Sequence, residues 1–261
     1  MTRRWVVALA AGWLLVGCGG GGSLPGGDGP GPSGPGGDVG LPGDKDPNDN
    51  GPDDAASKTL WPLTTGSTWV YDIQDPVHGN FQKHVTVQGP REVPGAPAGT
   101  TGVLVHSKQD RVATGVLYEE YSWQAEQSNG LVVRLREEDH RDGVQVRTTT
   151  WAPATVKSLA RAPSALPWSF TSAVQELTVM GDGSKEDSDP TYTWRVLEVG
   201  VTVQTRAGTF TNAIKVRRDK LNDAGEVKEG KERTYWLVPG VGKVREEGER
   251  TEDLASYDIK K

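Results

Sequence analysis

The chain has 261 residues and a formal net charge of −6, a length that fits one ordinary domain or two small ones. Its single cysteine, Cys18, excludes an intrachain disulfide and a cluster of cysteine metal ligands. Most of the excess acid lies between residues 28 and 54, so the rest of the chain is close to balanced. It lacks the basic stripe of a nucleic-acid-binding protein, and nucleic acid is not an expected partner.

The first 17 residues have the pattern of an export signal. Arg3 and Arg4 form a short positive region, and residues 5–16 form an apolar stretch that is too short to span a bilayer. The segment ends in Leu15-Val16-Gly17-Cys18, which resembles the bacterial lipobox. That resemblance implies cleavage before Cys18 and lipidation of its thiol. Two alternatives are an ordinary signal peptide with a chance cysteine and twin-arginine export, whose motif is otherwise absent.

The predicted lipidation indicates where in the cell the protein is located. Two or three acyl chains together anchor a protein stably on a membrane. The residue after the cysteine is Gly19 rather than Asp, which by similarity to enteric lipoproteins indicates the outer membrane more than the inner one. We therefore expect a cell-envelope protein whose partner is the membrane, through its lipid anchor.

Residues 18–57 form a linker rich in Gly, Pro and Asp, which has too few apolar side chains to fold and is predicted to be disordered. Glycines three apart between residues 31 and 43 give a collagen-like phase, which is too short for a stable triple helix. Asp46, Asn48, Asn50 and Gly51 match the first half of a calcium loop. The match then fails because Ser57 stands where such loops carry Glu. No other metal site is predicted.

From residue 58 to residue 261 the apolar residues alternate with period two, which is typical of β-strands. Gly, Asn or Asp separates most of the runs, and Asn129-Gly130 and Asp142-Gly143 are hairpin signals. Only residues 154–162 could form a short helix. The predicted strands are residues 67–73, 81–87, 101–105, 116–123, 131–136, 144–147, 177–180, 192–199, 201–205, 213–217, 233–238, 242–246 and 254–259.

These runs predict an all-β domain of about ten to thirteen antiparallel strands in meander order. A single sheet of this length is expected to curl into a half-barrel or open barrel. The last strand contains Tyr257 and Ile259 and is expected to be paired, so that the chain is ordered up to Lys260.

Three passages together resemble a broad, uncharacterised group of bacterial envelope lipoproteins. Residues 60–71 (LWPLTTGSTWVY) are similar to a PLxxGxxWxY opening, residues 205–216 (TRAGTFTNAIKV) to a TxAGTFxN hairpin, and residues 235–244 (YWLVPGVGKV) to a YWxxPGVGxV hairpin. The resemblance implies a curved antiparallel sheet, distantly like the lipoprotein carriers of the Lol pathway. It implies no catalytic residues and no cofactor.

The sequence holds no recognisable catalytic motif. A Gly-x-Ser-x-Gly elbow is absent, and His78, His84, His106 and His140 lack zinc spacing. Neighbouring carboxylates such as Glu137 and Glu138 point to opposite faces of a strand and do not form a pair by themselves. The protein is therefore expected not to be an enzyme, with a hydrolase as the remote alternative.

Seven of the nine tryptophans lie outside the leader, which itself contains Trp5 and Trp13. They could fill the core, line a ligand cavity or form a sugar-binding platform. Our first hypothesis is a non-enzymatic protein whose curved sheet binds a hydrophobic, lipid-like ligand or a partner protein. Its candidate ligand-binding residues are Trp69, Tyr71, Trp194 and Trp236. The alternative is a structural or interaction module with a filled core.

Overall fold

The computed structural model describes residues 59–111 and 113–261. These residues form fourteen β-strands and no helix, and therefore no helix that could span a membrane. The strands are β1 (Thr68–Asp75), β2 (Gly79–Glu92), β3 (Thr101–Arg111), β4 (Val116–Glu126), β5 (Leu131–Arg141), β6 (Val144–Leu159), β7 (Ser169–Ala173), β8 (Gln175–Met180), β9 (Lys185–Ser188), β10 (Thr191–Thr205), β11 (Gly208–Leu221), β12 (Arg233–Val238), β13 (Gly242–Glu247) and β14 (Thr251–Asp258).

All fourteen strands belong to one antiparallel sheet in the order β7-β10-β11-β12-β13-β14-β1-β2-β3-β4-β5-β6-β8-β9. The order is a meander except that the chain crosses from β6 to β7 at the far edge, returns to β8 and crosses again from β9 to β10. Only Val174 separates β7 from β8. The two ends of the sheet must therefore lie side by side, and the sheet curls round an interior. It is not closed into a barrel, because β7 and β9 remain its edges.

Tight turns occur where the sequence predicts them. Asp142 and Gly143 both have positive φ (50° and 77°) between β5 and β6, as a two-residue type I′ hairpin requires. Gly240 follows Pro239 with φ 76° between β12 and β13, the conformation of a type II turn. These turns fix the register of their hairpins.

The prediction of a short helix within residues 154–162 is wrong. Residues up to Leu159 belong to the sixteen-residue strand β6, in which Val156 pairs with Val133 and Leu159 with Leu131. Pairing with β5 and burial of Val156 and Leu159 in the core override the local helical preference of the alanines. The sequence also missed the two short edge strands, β7 and β9.

The hairpin formed by β10 and β11 lies over the sheet beside β13, β14 and β1. The amide of Ala207 donates to the carbonyl of Leu254 at 3.1 Å, and Arg206 forms an ion pair with Asp72 at 3.2 Å. Underneath, Phe210 packs in the same apolar cluster as Trp236. A second apolar cluster joins β5 and β6 to β10, β11 and β12, and includes Leu159, Trp194, Ile214, Tyr235 and Leu237.

Candidate functional site

The curled sheet encloses a cavity of about 790 Å³. Side chains from every strand except the short β7 and β9 line it or flank its entrance. Val77 lines the cavity and is 80% exposed, so the cavity reaches solvent beside the β1–β2 turn. The interior of the sheet is thus an open cavity rather than a filled core.

Residues 59–66, which we call the strap, cross the other end of the sheet. The amide of Leu60 donates to the carbonyl of Ala160 after β6, and the amide of Gly240 before β13 donates to the carbonyl of Thr59. From the strap, Trp61 donates its indole N–H to the buried Gln124 Oε1 at 2.8 Å. The strap therefore forms the floor of the cavity.

Charged side chains dominate the lining, because alternate residues of the strands that point inward are often Lys, Arg, Asp or Glu. Basic and acidic residues are present in nearly equal numbers. The basic ones are Lys83, Arg111, Arg134, Arg147, Lys157, Arg218, Arg233, Lys243 and Arg250; the acidic ones are Asp75, Glu120, Glu137, Asp139, Glu176, Glu246, Glu249 and Glu252.

The wall built by β1, β2, β13 and β14 carries a continuous ion network. Lys243 pairs with Glu246 and, at 2.6 Å, with Glu252. Lys83 also pairs with Glu252, and Arg250 Nη2 lies 2.7 Å from the same carboxylate. Every charge of this network therefore has a partner of opposite sign, as burial requires.

The network shifts the pKa values of its members. Burial alone would raise the pKa of Glu246, but Lys243 and Arg233 lower it to about 2. Burial lowers the pKa of Lys83 to about 8 although Glu252 opposes that shift. The Tyr71 hydroxyl donates to the Lys243 carbonyl at 2.9 Å, and burial raises its pKa. At neutral pH the carboxylates of this wall are ionised and Tyr71 is protonated.

A second charged group lies on β4, β5 and β6. Glu120, Glu137 and Asp139 each place a carboxylate oxygen within 4.8 Å of the others. Arg134 pairs with Glu120 and Glu137, and Arg147 pairs with Glu137 and Asp139. The three carboxylates could in principle bind a cation, but it would have to displace two guanidinium groups, so this cluster is best explained as a structural ion network.

The structure brings together only two of the four predicted ligand-binding residues. Trp69 and Tyr71 line the cavity, and Trp69 donates its indole N–H to the Val241 carbonyl at 2.7 Å. Trp194 and Trp236 do not line the cavity: Trp194 is 1% exposed and stacks on Tyr235, whereas Trp236 packs with Phe210 under the β10–β11 hairpin. The predicted lipidation site, Cys18, and the partial calcium loop at Asp46, Asn48 and Asn50 lie outside the described residues.

Sequence reasoning missed the charged interior. It assigned only aromatic residues to the ligand site, yet many of the alternating charged residues point inward. A usable signal was present in β3, where Ser107, Gln109 and Arg111 share one face and are followed on β4 by the inward-facing Tyr118 and Glu120. The cavity therefore has a polar lining with aromatic rings set into it, and not the apolar surface that the expected lipid-like ligand would need.

Comparison with known proteins found similarity to solved structures and to no family model or curated protein. No family model matches the chain, and no curated protein matches it. Two solved structures resemble it with TM-scores of 0.39, each over 77% of this chain and 99% of the other. One, 15% identical, is described as a lipoprotein of Parabacteroides distasonis; the other, 12% identical, as an exported protein of Bacteroides fragilis with a YmcC-like fold. At this level of similarity neither neighbour assigns an activity to the chain.

Proposed function

We propose that the protein is exported, is anchored on a membrane of the cell envelope through lipid on Cys18, and binds a small polar ligand inside its curled sheet. The anchor rests on the leader and on the Leu15-Val16-Gly17-Cys18 sequence, and the outer membrane is favoured by Gly19. The binding function rests on one observation, the open cavity of about 790 Å³.

The lining favours a polar ligand over the lipid-like ligand that the tryptophans suggested. A cavity of this volume lies in the range of ligand sites, which is roughly 300–1,000 Å³. An apolar ligand would displace water from charged groups such as Lys157 and Arg218 without replacing its hydrogen bonds, and such desolvation is unfavourable. Rings such as Trp61, Trp151 and Tyr192 line the same space and supply flat apolar contacts.

The other hypotheses fit the cavity less well. A purely structural module would fill its interior with side chains, because voids in a core are destabilising. A hydrolase would need a nucleophile or an acid–base pair free to react, whereas Arg134 and Arg147 already hold Glu120, Glu137 and Asp139. We therefore propose a binding protein rather than an enzyme.

The binding function is tested by filling the cavity. Ser107 lines it and is buried, so Ser107→Trp should occupy part of the space. Ser256→Trp on the exposed side of β14 is the matched control. We expect native mass spectrometry of the full-length chain to detect a co-purifying polar ligand in the parent and in the control and to lose it in Ser107→Trp. Equal occupancy in all three would contradict binding in the cavity.

The anchor is tested separately by the intact mass of the N-terminal peptide from the cellular protein. We expect a peptide that begins at Cys18 and carries acyl groups, and release of a Cys18→Ser variant from the membrane fraction. A chain that stays membrane-bound without Cys18 would rule out this tether.

A further inference from the structure

Within the described residues, three of the nine basic residues that line the cavity have no carboxylate partner, whereas the other six have one. Among residues 59–111 and 113–261, six of the nine lining cations lie within 4 Å of a carboxylate oxygen. The exceptions are Arg111, Lys157 and Arg218. Arg111 is partly satisfied, since it donates to Gln109 Oε1 at 3.2 Å. Arg111, Lys157 and Arg218 therefore carry positive charge that no carboxylate compensates within the described residues, and of the three only Arg111 has a side-chain hydrogen bond there.

Arg218 is held in place by aromatic rings rather than by an acid. Its guanidinium lies 5.2 Å from the Tyr192 ring centroid and 5.9 Å from that of Trp194. Its Nε is buried without a hydrogen-bond partner in the protein. Stacking on rings orients the planar group before any ligand arrives, which reduces the entropy lost when the group forms hydrogen bonds. The guanidinium is thus preorganised and still has donors to offer.

Lys157 lies near the floor of the same cavity. Its Nζ is 5.8 Å from the Trp61 ring centroid, and the charged groups that act on it are Arg134 and Glu120 on its own side and Lys243 and Glu246 on the opposite wall. Burial, followed by the effect of Arg134, lowers the pKa of Lys157 well below its usual value. An anion placed beside it would favour the charged ammonium and raise that pKa.

We propose that the cavity recognises a small organic anion, a carboxylate or a phosphate ester, through Arg218 and Lys157. This inference rests on the proposed ligand-binding function and names the chemical class of the ligand. A guanidinium presents parallel N–H donors that match the paired oxygens of a carboxylate or phosphate. A half-buried cation without a carboxylate partner is unfavourable in the free protein, and an anionic ligand removes that penalty.

The test uses the full-length chain in nanodiscs and three probes of similar shape: benzoate, phenyl phosphate and uncharged benzamide. Isothermal titration calorimetry should show binding of at least one of the two anions and binding of benzamide that is weaker by about tenfold or more, the magnitude expected for loss of a charge-assisted hydrogen bond. Preference between the two anions identifies the anionic group. Titrations in buffers of different ionisation enthalpy, repeated across the pH range in which Lys157 titrates, should show proton uptake on binding, because the anion raises the pKa of Lys157.

Three variants assign the effect to residues. Arg218→Met and Lys157→Met should each weaken binding of the anion by about tenfold, and Lys157→Met should also abolish the proton uptake. Arg206→Met removes the same charge from the outer surface, where Arg206 is 59% exposed, and should leave the affinity unchanged. Using two independent cavity variants keeps the result interpretable if one of them fails to fold, which circular dichroism would reveal.

The outcomes separate the two proposals. If benzamide binds as tightly as the anions and both cavity variants bind like the parent, the cavity is a binding site but the anion inference is wrong. If neither anion binds, the anion inference is also wrong. The proposed binding function itself is wrong only if two results are found together. Benzamide must also fail to bind, and the parent chain must carry no co-purifying ligand that is lost in Ser107→Trp.

Discussion

Two groups of cations in one cavity differ in whether a carboxylate compensates their charge. On the wall of β1, β2, β13 and β14, Lys83, Lys243 and Arg250 all contact Glu252. Across the cavity, Lys157 on β6 and Arg218 on β11 contact aromatic rings and no carboxylate within the described residues. A paired buried charge maintains the structure, whereas an unpaired one destabilises it until something else supplies the counter-charge. Under the proposed anion recognition, a cation is therefore a candidate binding residue when it has no carboxylate partner and not merely because it is charged.

The largest effect is expected from breaking the paired wall. Lys243→Met leaves Glu246 and Glu252 buried with less compensation, and should lower the free energy of unfolding by about 3–5 kcal/mol. Urea unfolding of the full-length chain measures this loss. Lys228→Met, at an exposed position, is the matched control and should change little. A loss for Lys243→Met as small as that of the control would mean that the network is not structural.

Acid should weaken the paired wall in a defined pH window. The pKa values of Glu246 in this wall and of Glu120 on β4 are about 2 in the folded protein, against the ordinary glutamate value of 4.5. Because a depressed carboxyl pKa stabilises the fold above pH 4.5, stability should fall between pH 4.5 and pH 2, by on the order of 3 kcal/mol for each group. Burial and Glu120 raise the pKa of Asp139, which opposes this trend. Unfolding free energies measured from pH 7 to pH 3 should decrease less steeply in Glu246→Gln; an unchanged slope would contradict the assignment.

Removal of an unpaired cation should change the free energy of unfolding in the opposite direction. Lys157→Met removes a half-buried cation that has no carboxylate partner among the described residues, and should raise the free energy of unfolding at pH 7 by about 1–2 kcal/mol. The pKa of Lys157 is lowered on folding, so the parent protein becomes more stable as pH rises toward 10.5 and the advantage of the variant should shrink there. Thermal unfolding at pH 7 and pH 10 tests both statements. A destabilised variant at pH 7 would show that Lys157 has a partner after all.

The smallest effect on stability is expected from a substitution in the strap, which forms the floor of the cavity beside Lys157. Trp61→Phe keeps a ring but removes the hydrogen bond to Gln124, which should lower stability by about 1 kcal/mol. Hydrogen exchange should become faster at the Leu60 and Gly240 amides, which hold the strap in place. Amides of β8, whose neighbours in the sheet are β6 and β9, serve as the internal reference. Uniform acceleration across the sheet would indicate global destabilisation instead of loosening of the floor.

Much of the fold could be predicted from local sequence. Strand β12 begins and ends where the alternating pattern does, and Asp142-Gly143 and Pro239-Gly240 form the turns that their backbone preferences require. The error at residues 154–162 has a non-local cause, since the partner of Val156 is twenty-three residues away on β5. Local propensity carries no information about such a partner.

The site was much less predictable. Period-two alternation separates the two faces of each strand and places Arg134 and Trp69 on one of them. It does not indicate which face becomes the concave side of the sheet. In a fully curled sheet both faces carry charged and aromatic residues: Trp236 is covered by the β10–β11 hairpin, and Glu252 is buried in the cavity wall. The pairing of one cation and not another depends on contacts across the interior, which only the assembled sheet provides.

The strap gives the cavity a mechanical connection to the preceding chain. Residue 59 is the first described residue, and its carbonyl already accepts a hydrogen bond from Gly240, while Leu60 is bonded to Ala160. A pulling force applied upstream of Thr59 would therefore act first on these two bonds and on Trp61, before it reached any strand of the sheet. Tension on the amino-terminal side would therefore act on the floor of the cavity, which lies at the end opposite the exposed Val77.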